Sequence, residues 1–205
     1  MIISNILEVQ QATLYRDDVQ IFMDINFELR AGQHALIKGQ NGSGKTSLLR
    51  AICGFSELTK GDIKWNKMPI DDIDSVFQED IAYLGHKNGL INEISVSDNL
   101  KMNPNIADLS QLSDLVEGLN LIESIDKPVE FLSSGQAKKV ALVSLILSNR
   151  MLWIMDEPYA NLDDISKEYL TLRILDHCKN NGMVITTSNQ GNMVNQSKLE
   201  IIMEQ

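Results

Sequence analysis

The sequence predicts an α/β fold: a parallel sheet with helices, joined to an antiparallel β part near the amino terminus and a small helical lobe in mid-chain. Three observations carry this prediction. The runs "HALIKG", "MLWIMD" and "MVITTS" are short and apolar, and each is followed by a turn or a helix start, the pattern of parallel strands buried on both faces. The first third of the chain instead alternates apolar with polar residues. Between Ile91 and Glu130 the chain becomes polar and helical, with no continuous apolar strand.

Taken in order, Leu7 to Tyr15 is strand-like, and from Ile21 to Leu29 the odd positions Ile21, Met23, Ile25, Phe27 and Leu29 are apolar, as in a half-buried strand. "GDIKWNKM", Gly61 to Met68, sets Ile63 and Trp65 between polar neighbours and adds a further antiparallel strand. Asn103, Pro104 and Asn105 break the helical lobe, which spans about 91–145. In "DDISKEYLTLRILDHCK" the residues Ile165, Tyr169, Leu172 and Leu175 recur at helical spacing, with Asp163 or Asp164 placed as N-cap. Length and organisation suit one domain over 1–205 with the lobe inside it.

With 28 acidic against 18 basic residues the net charge is −10, which disfavours a broad electrostatic grip on nucleic acid or an anionic bilayer. Cys53 and Cys178 form no CxxC pair, so they read as small core hydrophobes in a reducing compartment. No apolar run reaches the ~18 residues of a membrane span. The segment "MIISNILEVQQATLY" lacks the basic start of a signal peptide. The expected location is the cytoplasm, with membrane association only through a partner.

"GQNGSGKT" matches G-x-x-x-x-G-K-[ST] in full, between the strand "HALIKG" and the helical "SLLRAIC". The motif predicts a P-loop NTPase. Gly39, Gln40, Asn41, Gly42, Ser43 and Gly44 would cradle phosphate with backbone N–H groups, and Ser47 continues the binding segment into the helix. Lys45 would supply a cation, and the Thr46 hydroxyl a ligand for Mg²⁺. "MLWIMDEP" supplies the rest: Asp156 at a strand end to hold the metal through water, and Glu157 to polarise an attacking water. A guanine reader N-K-x-D is missing, since "NKMP" puts Pro69 where its carboxylate belongs. Guanine specificity is therefore disfavoured.

A second anion site is written in "FLSSGQAKKV", where serines and a glycine open a helix. With "LSSGQ" just upstream of "MLWIMDEP" and "YANLD" just after it, the chain resembles the nucleotide-binding subunit of ATP-binding cassette (ABC) transporters over nearly its whole length. The resemblance implies an ABC-type nucleotide-binding fold in which two copies hold ATP between them. In it Ser133, Ser134, Gly135 and Gln136 of one copy meet the triphosphate on the other, Asp163 reaches across, and Tyr15 stacks on adenine. Ser134 stands where glycine is usual. His86 stands in the place of a usual glutamine, and Asn189 in that of the switch histidine, so both are implied in catalysis with slow or partner-dependent hydrolysis expected.

"YLGHKNGL" and "LWIMDEPYANLD" further resemble the ATPase subunit of the cytochrome c maturation system, the haem exporter ATP-binding subunits, in which histidine occupies the position of His86. That implies integral membrane permease subunits as partners, on the cytoplasmic face, and no direct haem binding, since His34, His86 and His177 are isolated. Two other readings stand beside it: a cassette ATPase for a different exported substrate, and a nonhydrolytic, ATP-gated binding module.

Overall fold

The computed structural model describes residues 5–106, 108–189 and 199–203. In chain order its regular elements are β1 (Ile6–Arg16), β2 (Val19–Arg30), β3 (His34–Gly39), α1 (Lys45–Ile52), β4 (Lys60–Trp65), β5 (Met68–Pro69), α2 (Asp74–Asp80), β6 (Ile81–Leu84), α3 (Val96–Met102), α4 (Leu112–Gly118), α5 (Ser134–Leu147), β7 (Leu152–Met155), α6 (Asp164–Lys179), β8 (Met183–Ser188) and β9 (Leu199–Met203). A parallel sheet runs β6-β7-β8-β3-β9, and an antiparallel sheet runs β2-β1-β4-β5. The α/β architecture with its antiparallel part and helical lobe is the one the sequence predicts.

The parallel strands are apolar throughout because each feeds two cores. On β7, Leu152 and Ile154 join the core shared with the antiparallel sheet and α1, while Trp153 and Met155 join the one built by α5, α6 and the helical lobe. On the antiparallel sheet one face is covered, and Ile63 and Trp65 of β4 point into the core between exposed or half-buried neighbours. β9 escapes a sequence reading. It is an edge strand with Ile201 and Met203 buried between exposed Glu200 and Ile202.

Two patterns differ from expectation. The odd-position alternation of β2 holds from Ile25 to Leu29 but not before it: Phe22 is buried and Met23 exposed. Asp24 takes a left-handed φ of 53°, and the β1–β2 register shifts between Ala12↔Ile25 and Leu14↔Phe22, so a bulge turns the strand over. On α6 the apolar stripe faces outward, with Ile165 73% and Leu172 57% exposed, whereas Ser166, Leu170 and Ile174 are buried. The helix is rotated this way because its N-cap Asp163 is tied to the buried Lys139 of α5, which turns the Ser166 face inward. Cys53 is buried and Cys178 half-buried, and neither is in a disulfide.

His34 begins β3 at 4% exposure, its Nε2 2.8 Å from Thr186 Oγ1. Burial disfavours the imidazolium and pushes its pKa down from 6.5 to about 4. A histidine that is harder to protonate folded than unfolded stabilises the fold above the unfolded pKa, and this stabilisation is lost as pH falls from 6.5 towards 4. We expect denaturant-measured stability to drop by about 2 kcal/mol between pH 6.5 and pH 5 through this group, and His34→Gln to remove that part of the slope.

Candidate functional site

The site forms where β3, β7 and β8 end on one edge of the parallel sheet, as open α/β sheets place ligands at strand carboxyl ends. β3 delivers the glycine-rich loop directly into α1. Gly44 is the N-cap of α1 at φ 89°, and a Cβ there would lie 2.9 Å from the Ile21 carbonyl, so the loop requires glycine on both counts. At Gly39 a Cβ would lie 2.3 Å from Ser43 Oγ. Ser43 itself is 2% exposed, and its Oγ is without a hydrogen-bond partner among the described residues. No acidic residue stands in the first turn of α1 to answer its N-terminal dipole. An orphaned buried hydroxyl, open helix N–H groups and glycines with no spare volume fit a phosphate chain.

Lys45 is 6% exposed and folds back over the loop, its ammonium donating to the carbonyls of Gly39 (2.8 Å) and Gln40 (2.9 Å). Next to it, Thr46 Oγ1 donates to Asp156 Oδ2 at 2.6 Å. Asp156 is 1% exposed, and its other oxygen accepts from Thr187 Oγ1, also at 2.6 Å. The Asp156 N–H donates to Leu84 O at 2.7 Å, which extends the β6–β7 ladder by one step and sets the following residues of each strand side by side. His86 Nε2 therefore lies 3.3 Å from Asp156 Oδ2. The oxygen donors of Thr46 and Asp156 are the hard ligands that suit Mg²⁺.

Glu157 follows in a left-handed conformation, φ 46°, and its N–H donates to Thr187 Oγ1 at 2.8 Å. With Lys45, Thr46, Ser47, Asn41, Gly42, Gly44 and His86 it lines a cleft of about 410 Å³, to which β2 contributes Ile21. Asn189, just after β8, donates from Nδ2 to Asn41 Oδ1 at 3.3 Å and so touches the phosphate loop. Tyr15 sits on β1 outside this lining, 39% exposed, with its hydroxyl donating to Gln20.

The "FLSSGQAKKV" segment forms the N-cap of α5, and its serines are exposed. Ser133 accepts from the Gln136 N–H while the Gln136 side chain accepts from the Ser133 N–H, a capping box, and Gln136 Nε2 donates to Ser124. Gln136 is thus engaged inside its own chain. Ser133 keeps its hydroxyl hydrogen free to donate, and Ser133 and Ser134 are exposed. Gly135 faces the backbone before α6: a Cβ on it would lie 2.5 Å from Asn161 O. Asp163 caps α6 through the Ser166 N–H, and the Lys139 ammonium 2.5 Å away, with that N–H, holds its carboxyl well below the usual carboxylate range.

Thr187, Lys138 and Lys139 escaped the sequence reading. Thr187 carried a usable signal, a hydroxyl near the end of an apolar parallel strand. The two lysines carried none, because their partners lie 19 and 24 residues away.

Residues 22–160 match the family model described as ABC transporter. Over 191 residues the chain is 39% identical to the cytochrome c biogenesis ATP-binding export protein CcmA of Histophilus somni, covering 91% of this chain and 88% of that one. Among solved structures, an ABC transporter ATP-binding protein from Pyrococcus furiosus superposes with a TM-score of 0.82 at 25% identity, over 97% of both chains. A dimeric ATP-binding cassette in a post-hydrolysis state, bound to ADP and Pi, superposes with a TM-score of 0.81 at 18% identity over 97% of this chain and 94% of that one. The chain belongs to the ABC transporter family, as one of its ATP-binding and ATP-hydrolysing subunits.

Proposed function

We propose that this ATPase acts in cytochrome c maturation, working with integral membrane permease subunits on the cytoplasmic face, and that it hydrolyses ATP in sites shared by two copies of the chain. The similarity to the Histophilus somni export protein supports the first part. One observation carries the second: the helix cap with Ser133 and Ser134 exposed and Gly135 half-buried beside them does not line the phosphate-loop cleft of its own chain. A triphosphate held by Lys45 of one copy gives that cap a ligand.

In this reading the phosphate loop and Lys45 bind the β- and γ-phosphates, and Thr46 and Asp156 would hold Mg²⁺. The ion, when bound, offsets charge on the phosphate oxygens. Glu157 orients and deprotonates the water, and Ser133 and Gly135 of the second copy donate to the γ-phosphate. Asp163 lies on the surface that faces the second copy. Tyr15, exposed beside the loop-bearing sheet, would take the adenine. Asn189 donates a neutral hydrogen bond where the family's histidine can carry charge, which slows the step. Asn189→His should therefore raise kcat by about 10-fold or more and Asn189→Ala lower it, as single-turnover assays would read; fast turnover indifferent to Asn189→Ala would contradict the role.

The permease docks, in this proposal, beside His86 and the helical lobe. A cleft of about 570 Å³ lies there between β6 and α3, with Phe55, Ile91 and Met102 exposed around it. Among the described residues no helix is long and apolar enough to cross a membrane, so a membrane station needs such a partner. Met102→Glu should abolish copurification with membrane subunits and leave ATP turnover of the free protein intact. Unaltered copurification would move the docking surface elsewhere.

A further inference from the structure

We propose that Lys138 is a positioning residue for hydrolysis, holding the main chain of Glu157 so that its carboxylate stays aimed into the phosphate-loop cleft. The inference rests on Glu157 being the base. Lys138 lies on α5, one turn past the Ser133 cap, and its Nζ donates to the Glu157 carbonyl at 2.5 Å. Glu157 holds a φ of 46°, a strained left-handed conformation for a residue other than glycine, which persists where neighbouring contacts hold it. Three contacts fix it: Thr187 on its N–H, and on its C=O both the Ala160 N–H at 3.1 Å, a turn bond within the same loop, and Lys138, the one that ties the loop to α5.

The choice of acceptor matters. A lysine paired with the Glu157 carboxylate would stabilise its charge and weaken it as a base. Lys138 meets the main-chain oxygen instead, and among the described residues no ion pair engages the Glu157 carboxylate within 4.0 Å. The ammonium is half-buried, and desolvation lowers its pKa against the pull of Glu157 and Asp156, so the contact is held at a cost. The adjacent Lys139 ties Asp163. Helix α5 therefore reaches the base and the segment before α6 from two successive residues. Its outward N-terminus lies about 8 Å up the same rigid rod from Lys138. Displacement of that cap on meeting a ligand would be transmitted to the peptide of Glu157.

The test compares Lys138→Met, Lys138→Gln and Lys138→Arg with the native chain, in the native and the Glu157→Gln background. Lys138→Met and Lys138→Gln should lower kcat about 10- to 100-fold with KM for ATP and Tm unchanged. Lys138→Arg should recover to within about threefold, and neither change should add to Glu157→Gln. Native kcat in Lys138→Met overturns the proposal, as does a loss matched by weaker ATP binding and lower Tm that arginine fails to rescue. Native turnover by Glu157→Gln alone removes the base assignment itself, a failure separable from that of Lys138.

Discussion

Glu157→Gln is expected to bind ATP as the native chain does and to lose turnover by about 10²- to 10⁴-fold, the range general-base catalysis supplies. The expectation follows from what the substitution leaves alone. The left-handed backbone, the Thr187 contact and the Lys138 contact all belong to the main chain and persist in an isosteric amide. The phosphate loop and Thr46 are untouched, so affinity stays. What disappears is an acceptor basic enough to take a proton from water. Fluorescent-nucleotide titration and phosphate release, measured on one preparation, separate the two effects. Turnover within tenfold of native would strip Glu157 of its role.

Gly135→Val should be nearly as damaging, by a different route. A Cβ at Gly135 falls 2.5 Å from the Asn161 carbonyl, a backbone atom that cannot rotate away. Either the start of α5 or the turn before α6 must shift, and both carry proposed contacts to the second copy: Ser133 on one, Asp163 on the other. Overpacking of this kind costs about 1–3 kcal/mol of stability, which the fold survives, and a misplacement of about 1 Å costs on the order of 10²-fold in rate. ATP binding to the chain's own phosphate loop should persist, because Gly135 does not line that cleft. Loss of ATP binding in parallel with rate would show that the cap serves its own chain.

Much of this fold was legible because its strongest signals are local. "HALIKG", "MLWIMD" and "MVITTS" read as parallel strands because a strand buried on both faces has no room for polar residues, and the loop motif lies within eight consecutive residues. The outward stripe of α6 was misleading for the opposite reason. Its rotation is set by Asp163, Lys139 and Ser166, two of which lie within four residues of each other while the third comes from another helix. The flip at Asp24 needs a left-handed φ that no alternation pattern encodes, and β9 is too short for its half-buried pattern to stand out. In the site, the Asp156 and Thr46 contact followed from two motifs 110 residues apart that a common chemistry connects. The lysine clamps on Glu157 and Asp163 join residues with no shared motif, and only packing reveals them.

The shared site is tested most directly by the scattering mass of Glu157→Gln at saturating ATP and Mg²⁺. A value twice that of the nucleotide-free protein, returning to the single-chain value in Ser133→Glu while ATP remains bound, is the predicted result. A single-chain mass with ATP bound, or a doubled mass indifferent to Ser133→Glu, would contradict it.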